Sequence, residues 1–332
     1  MTTIYRDADA SLDDLQGLPV TIVGFGNQGQ AQALNLRDSG VEGIVVANRE
    51  DDYRERAAAA GFPVMAIPDG VRRAGVVLLL IPDEVQPQVF RAEVAPNLAT
   101  GSCLVVASGY NLAFGLLDVP PGVDVVMVAP RMIGAAVRSL YAQGKGFPCF
   151  VSVERDATGR ALALALAVAR GIGATRAGAI GSSAREEAAL DLFSEQAVWP
   201  VILSVFRAAY DVLHAEGFSD EAVLSELYLS GEPAEVMTAA AEVGLFEQLA
   251  LHSQTSQYGQ LRSLLMSDES ALRARFAEVM RGSILSGTFA LEWSSGSEGG
   301  PDRIAPLREQ ALAHPLVAAE RKVRDGLARR LP

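Results

Sequence analysis

Hydrophobic and polar positions follow two rhythms along this chain. Over roughly the first half, short apolar runs alternate with stretches of helical periodicity. Residues 19–23, 44–47, 76–81, 104–107, 123–129 and 149–153 are the apolar runs, rich in Val, Ile and Leu. Runs this short and this apolar predict strands buried on both faces. Between them, residues 28–38 and 54–60 carry helical spacing, the latter stopping at Gly61. Strand and helix in alternation predict βαβ units and a mostly parallel sheet, an α/β domain. Past about residue 182 the strand-like runs vanish. Helical patterns cover 186–215, 220–230, 234–251 and 269–290. This predicts an all-α second domain, with the boundary at Gly181-Ser182-Ser183: residues 1–182, then 183–332. Residues 294–301, rich in Ser and Gly, predict a mobile loop before a last basic helix.

The length of 332 residues agrees with about two domains. The net charge of −12 excludes the basic footprint of a nucleic-acid groove and argues against docking on anionic lipid. Two cysteines, Cys103 and Cys149, exclude a disulfide framework or a Cys-rich zinc site, and both lie in apolar runs that predict buried free thiols. The start of the chain has no basic n-region followed by a long apolar stretch, so no signal peptide is expected. The alanine-rich run 161–169 is too short to span a bilayer. The expected location is cytoplasmic.

The first turn, Gly24-Phe25-Gly26-Asn27-Gln28-Gly29, fits G-x-G-x-x-G between a strand and a helix. In that setting the first glycine allows the tight turn, the second lets a pyrophosphate reach the backbone, and the third lets the helix pack on the strand. The unpaired N–H groups of the helix start then face the phosphates. A nicotinamide dinucleotide is the expected cofactor. At the end of the next strand, Arg49 could stack on adenine or meet a 2′-phosphate, while Glu50, Asp51 and Asp52 favour free ribose hydroxyls. That balance places NADH slightly ahead of NADPH. The same acids could equally form a solvated helix start.

Residues 24–40 resemble the opening of the ketol-acid reductoisomerase (acetohydroxy-acid isomeroreductase) family, class I-like, and the likeness continues in order. Residues 79–86 (Leu-Leu-Ile-Pro-Asp-Glu-Val-Gln) resemble its segment after the third main strand, and residues 108–115 (Ser-Gly-Tyr-Asn-Leu-Ala-Phe-Gly) its His-Gly-Phe-Asn segment. Residues 126–130 resemble the run before its Lys-Gly-Pro-Gly-His site, residues 191–196 (Asp-Leu-Phe-Ser-Glu-Gln) its metal helix, and residues 253–259 (Ser-Gln-Thr-Ser-Gln-Tyr-Gly) its substrate-serine segment. The resemblance implies an N-terminal Rossmann domain and a helical, knotted C-terminal domain in an intertwined homodimer, where Phe246, Leu249 and Leu251 would suit the interface. It implies NADPH and two Mg²⁺ ions. It also implies alkyl migration on an acetohydroxy acid, followed by hydride reduction of the resulting ketone. With Gly24–Gly29 and Arg49, it adds Asp52, Pro82, Asp83, Gln86, Ser108 and Gly134 to the cofactor set.

Several positions depart from the family. Ser108 stands at its catalytic histidine and cannot titrate near neutrality. Arg131 stands at its lysine and keeps charge without sharing a proton. The Gly-Pro-Gly-His that follows is replaced by Met132-Ile133-Gly134-Ala135. Asp191 and Glu195, at i and i+4, match the first metal pair and could hold a single Mg²⁺, although a solvated helix face would show the same spacing. Glu226 matches the second pair, but Ser230 replaces its glutamate partner, and Gly231-Glu232-Pro233 then breaks the helix. Asp191, Glu195, Glu226, Ser108 and Arg131 are the catalytic candidates. Ser230 and Ser253 are the substrate candidates, and Glu226 and Ser253 could equally be passive. His214, His252 and His314 lack metal spacing and read as surface or packing residues, with His252 notable for adjoining Ser253.

Hydride transfer needs the cofactor loop, which is intact, whereas alkyl migration needs the metals and a base. The expectation from the residues is a reductase without the isomerase step, acting on an imine or iminium in specialised metabolism. Reduction of a ketone or 2-oxo acid with Arg131 holding a carboxylate, and true ketol-acid reductoisomerase activity in branched-chain amino-acid synthesis, are the alternatives within the enzyme class. A non-catalytic dinucleotide-binding protein is the alternative outside it.

Overall fold

The computed structural model describes residues 2–294 and 301–326, so most of the loop expected at 294–301 lies outside the described residues. The chain divides into two compact units, Met1–Asp191 and Leu192–Pro332. The division falls nine residues after the boundary expected at 182. The first turns of the helix that follows that boundary pack on the first unit: Ala184 joins its core, and Glu187 bonds to its backbone.

The strands of the first unit are β1 (Ile4–Tyr5), β2 (Val20–Val23), β3 (Ile44–Ala47), β4 (Val64–Met65), β5 (Val76–Leu79), β6 (Cys103–Val106), β7 (Asp124–Pro130), β8 (Cys149–Arg155) and β9 (Ala179–Gly181). They form one sheet in the order β1-β9-β8-β7-β6-β5-β2-β3-β4. From β4 to β7 every pairing is parallel, and the order 3-2-1-4-5-6 is that of a dinucleotide-binding sheet. β8 runs antiparallel to β7, and β1 antiparallel to β9.

Its helices are α1 (Asn27–Asp38), α2 (Asp52–Ala59), α3 (Ile67–Arg73), α4 (Gln86–Val89), α5 (Tyr110–Ala113), α6 (Gly134–Ala142), α7 (Ala161–Gly171) and α8 (Ala184–Phe193). Successive strand residues point to opposite faces. Ile22, Leu78, Val105 and Val126 therefore pack with Leu36 of α1 and Leu164 of α7. Val23, Leu79, Leu104 and Met127 pack with Ile67 and Val71 of α3 and with Phe90. Burying one such aliphatic side chain contributes about 1.5–3 kcal/mol, and both faces are covered. Cys103 and Cys149 are buried and free, and burial pushes the Cys103 thiol up to about 12.

The second unit is helical: α9 (Trp199–Ala215), α10 (Asp220–Leu224), α11 (Glu232–Val243), α12 (Gln254–Met266), α13 (Ser270–Glu278), α14 (Thr288–Ser294), α15 (Pro301–Leu312) and α16 (Pro315–Gly326). Its helices are interrupted where the sequence pattern runs on. Gly244, at φ 114°, ends α11 inside the expected helix 234–251. A π turn at Ser194–Val198 precedes α9. Pro200 sits at the start of α9 and has no N–H to give the carbonyl four residues back, so the wider turn accommodates it. Further π turns are Ser225–Leu229 and Val279–Leu285.

Tyr210, Val223, Leu224, Ala319 and Val323 form a small core in this unit. Much apolar surface stays exposed, including Trp199, Leu203, Val205 and Val212 of α9. Phe246 and Leu251 are exposed, whereas Leu249 is buried. Among the described residues, the helical run Ala184–Ala215 is long and apolar enough to cross a membrane by length and composition.

Candidate active site

The sheet order reverses between β2 and β5, and ligands of open α/β sheets bind at such a switch point, beyond the carboxyl ends of the strands. A cavity of about 790 Å³ opens there. Gly24, Phe25, Gly26, Asn27 and Gln28 line it from the β2–α1 turn, Asn48, Arg49 and Asp51 from the end of β3, Pro82, Asp83 and Gln86 from beyond β5, and Ser108 from beyond β6. Gly24 holds φ 97°, and a Cβ there would lie 2.7 Å from Ile81 and 2.9 Å from the Leu80 carbonyl oxygen. This cradle fits a dinucleotide, with its pyrophosphate at the start of α1.

Three residues of the expected cofactor set lie outside the cavity lining. Gly29 packs α1 on β2, since a Cβ there would come 2.2 Å from the Gly24 carbonyl oxygen. Gly134 lets α6 approach the Asn27 backbone, where a Cβ would again meet a carbonyl oxygen at 2.2 Å. Asp52 is an exposed residue in the first turn of α2. Its neighbour Asp51 takes the place in the cavity. Asp51 is the N-cap of α2 and accepts from the backbone N–H groups of Tyr53 and Arg54, both at 3.1 Å. It also accepts from the Asn48 amide at 2.7 Å and the Arg49 guanidinium at 2.9 Å. Slight burial pushes its carboxyl up, but the bonds from Arg49, Arg54 and Tyr53 outweigh that and hold it below the usual carboxylate range.

Asp83 sits deeper. It accepts from Ser108 Oγ at 3.1 Å and from the Gln86 amide at 3.1 Å. Asn111 donates to the Asp83 backbone carbonyl at 3.0 Å. Burial raises the Asp83 carboxyl; the Ser108 bond opposes this, and the charges of Glu84 and Asp191 add to it. The hydroxyl at the family's histidine position is thus tied to a carboxyl that burial pushes up.

The peptide that carries Ser108 continues into a second cluster. Gly109 N–H donates to Glu187 Oε2 at 2.7 Å. Glu187 Oε1 accepts from Arg131 Nη1 at 2.7 Å, and Arg131 Nη2 donates to Asp191 Oδ1. Arg131 lies 5.2 Å from the centroid of the Phe150 ring, a cation–π contact. Glu187 is 2% exposed. Burial, reinforced by the charges of Asp191 and Asp83, pushes its carboxyl up to about 7, while Gly109 and Arg131 pull the other way. The sequence reading omitted Glu187, although its i, i+4 spacing to Asp191 puts both acids on one face of α8.

The other catalytic and substrate candidates belong to the second unit. Glu195 lies in the π turn at Ser194–Val198, directly after α8. Glu226 lies in the π turn Ser225–Leu229, and Ser230 follows it. Ser230 Oγ accepts from Glu232 N–H at 3.3 Å. Ser253 caps α12, accepting from Ser256 N–H at 3.3 Å. His214 pairs with Asp220, His252 with Gln248 and His314 with Asp211.

The two Mg²⁺ ions implied by the resemblance find a poorer donor set here. An Asp191 oxygen is engaged by a guanidinium, and Ser230 supplies a hydroxyl where the second pair needs a carboxylate.

Comparison with known proteins covers both units. Residues 14–178 match the family model "Acetohydroxy acid isomeroreductase, NADPH-binding domain", and residues 185–328 match "Ketol-acid reductoisomerase, C-terminal domain". The chain is 40% identical to "Putative ketol-acid reductoisomerase 3" of Saccharolobus solfataricus, over 97% of this chain and 98% of the relative. It is also 40% identical to "Ketol-acid reductoisomerase (NADP(+))" of Pyrobaculum calidifontis, over 98% and 99%. The solved structure of an NADH-preferring ketol-acid reductoisomerase from an uncultured archaeon superposes with a TM-score of 0.90 at 28% identity, covering 98% of this chain and 100% of that one.

These matches carry the expected fold class, an α/β Rossmann domain followed by an all-α domain of the ketol-acid reductoisomerase kind. They overturn the expectation of an imine or iminium reductase of specialised metabolism that has lost the isomerase step, because relatives named for the complete reaction match over nearly the whole chain. A physical reason agrees: Asp191, a carboxylate that could have faced an iminium charge, already has a cation in Arg131.

Proposed function

Because the chain belongs to the ketol-acid reductoisomerase family, we propose that it converts a 2-acetohydroxy acid into a 2,3-dihydroxy acid, in the synthesis of branched-chain amino acids. It is an NAD(P)-dependent oxidoreductase. The balanced reaction is a shift of the alkyl group to the neighbouring carbon, then addition of a hydride and a proton to the ketone so formed. The similarity to curated ketol-acid reductoisomerases across nearly the full length of both chains carries this reading.

The bound dinucleotide would supply the hydride. Gly24 and the start of α1 would admit its pyrophosphate, with Gly29 holding that turn against β2. Asp83 and Ser108 form a hydrogen-bonded pair at the cavity that can hold a proton for the reduced oxygen. The test is incubation with 2-acetolactate and, separately, with its rearranged ketone 3-hydroxy-3-methyl-2-oxobutanoate, following cofactor oxidation and the dihydroxy acid. Turnover of both is expected. Absence of the dihydroxy acid from 2-acetolactate would refute the reading, whether or not the ketone is reduced.

Asp51 favours NADH over NADPH. Its carboxylate lines the cavity at the end of β3, where it can accept ribose hydroxyls and would repel a 2′-phosphate. The Asp51→Ser variant is expected to move the ratio of kcat/KM values for NADH and NADPH at least tenfold toward NADPH, about 1.4 kcal/mol. An unchanged ratio would remove Asp51 from cofactor choice.

The exposed apolar side chains of α9 suit a second copy of this chain, and a homodimer acting in the cytoplasm is the proposed state. Light scattering after size exclusion should give twice the chain mass, and a monomer at micromolar concentration would contradict it.

A further inference from the structure

We infer that Arg131 is the resident cation of the α8 carboxylates and excludes a divalent metal from Asp191. The inference stands on the geometry around Arg131 and concerns Asp191 alone, so a metal serving the alkyl shift proposed above would be held by other carboxylates. Three observations carry it.

Both terminal nitrogens of the guanidinium are committed, Nη1 to Glu187 and Nη2 to Asp191. A metal on Asp191 would have to displace Arg131 from Oδ1, or sit on the neighbouring oxygen beside a fixed positive charge. Lysine could swing its single ammonium aside. Arginine presents a planar fork that matches two carboxylates at once, so leaving one of them costs a paired interaction.

Arg131 is also held from behind. Its guanidinium lies against the Phe150 ring, and Glu187, its other partner, is buried and anchored by the Gly109 N–H. Glu187 therefore cannot follow the guanidinium outward, and it keeps the arginine beside Asp191.

Finally, the charge is already balanced in part. A hard dication is drawn to a surplus of carboxylate oxygens. Glu187 and Asp191 supply two negative charges, and Arg131 offsets one of them at hydrogen-bond range. Among the described residues, no third His, Cys, Asp or Glu completes a metal-binding group.

Mn²⁺ binding to the full chain tests this without reference to turnover, read from the loss of the free-ion sextet in the electron paramagnetic resonance spectrum. The wild-type chain should show no Mn²⁺ site that Asp191→Asn removes. The Arg131→Lys variant should gain one that binds Mn²⁺ at least tenfold more tightly, and adding Asp191→Asn to that variant should abolish it. Arg131→Gln, read in the same way, replaces the lysine variant if that one melts early by circular dichroism.

Wild-type binding that is lost on Asp191→Asn would overturn the inference, as would the absence of any gain in both Arg131 variants. Failure of the proposed reaction would appear instead as no dihydroxy acid formed from 2-acetolactate, whatever the Mn²⁺ signal.

Discussion

Replacing Arg131 with alanine is expected to lower folding stability by about 3 kcal/mol, the low end of the range for breaking a buried ion pair. The low end applies because the Arg131 side chain is 29% exposed and water recovers part of the loss. The damage arises at Glu187, 2% exposed, which is left with only the Gly109 N–H as partner and, its carboxyl already pushed up to about 7, carries an uncompensated charge at alkaline pH. The neutral variant Glu187→Gln should lose less, since an amide oxygen still accepts from Gly109. In the double variant Arg131→Ala with Glu187→Gln, the penalty of Arg131→Ala should largely disappear, because no buried charge is stranded. Urea midpoints of the two single variants and the double variant measure the coupling. Strict additivity would mean that Arg131 and Glu187 do not stabilise each other.

The Gly29→Val substitution should weaken dinucleotide binding about a hundredfold while leaving the helical second unit folded. The valine Cβ would lie 2.2 Å from the Gly24 carbonyl oxygen, an overlap with backbone that no rotamer can relieve. The start of α1 must then move off β2, and overpacking of this kind typically costs about 1–3 kcal/mol. A hundredfold change corresponds to about 2.7 kcal/mol, within that range. Quenching or transfer of nucleotide fluorescence on titration reads the affinity, and circular dichroism reads the fold. Affinity within twofold of wild type would show that the contact of Gly29 with Gly24 does not shape the pyrophosphate site.

Much of the first unit is legible in its sequence because parallel strands buried on both faces must be nearly continuous runs of Val, Ile and Leu. β2, β3, β5 and β6 are such runs, and the glycine turn between β2 and α1 marks the switch point. β1, β4 and β9 escape notice because two or three residues show no periodicity. Tertiary pairing, such as Ile4 with Ile180, creates them.

The candidate site is only partly legible. Asp51 and Asp52 are equivalent as letters, and only the extended backbone of Asp51 decides which one caps α2 and faces the cavity. Gly134 looks like part of a nucleotide loop, yet its missing side chain serves the approach of α6 to Asn27. The π turns at Ser194–Val198 and Ser225–Leu229 leave no mark in an i, i+4 count, although they carry Glu195 and Glu226. Ser108 and Arg131 weighed heavily toward a changed reaction because single positions speak loudly in a motif. The relationship spread over both units outweighs them.

The two ends of the sheet order are β1 and β4, each only two residues long. An outermost strand offers its free backbone groups as a template on which another polypeptide can lengthen the sheet. Here the template stops after two residues on either side, too short to nucleate a cross-chain ladder. The apolar strands that build the dinucleotide fold are thereby kept from propagating into fibrous assemblies by the brevity of both edges, which hold no charged residue or proline of their own.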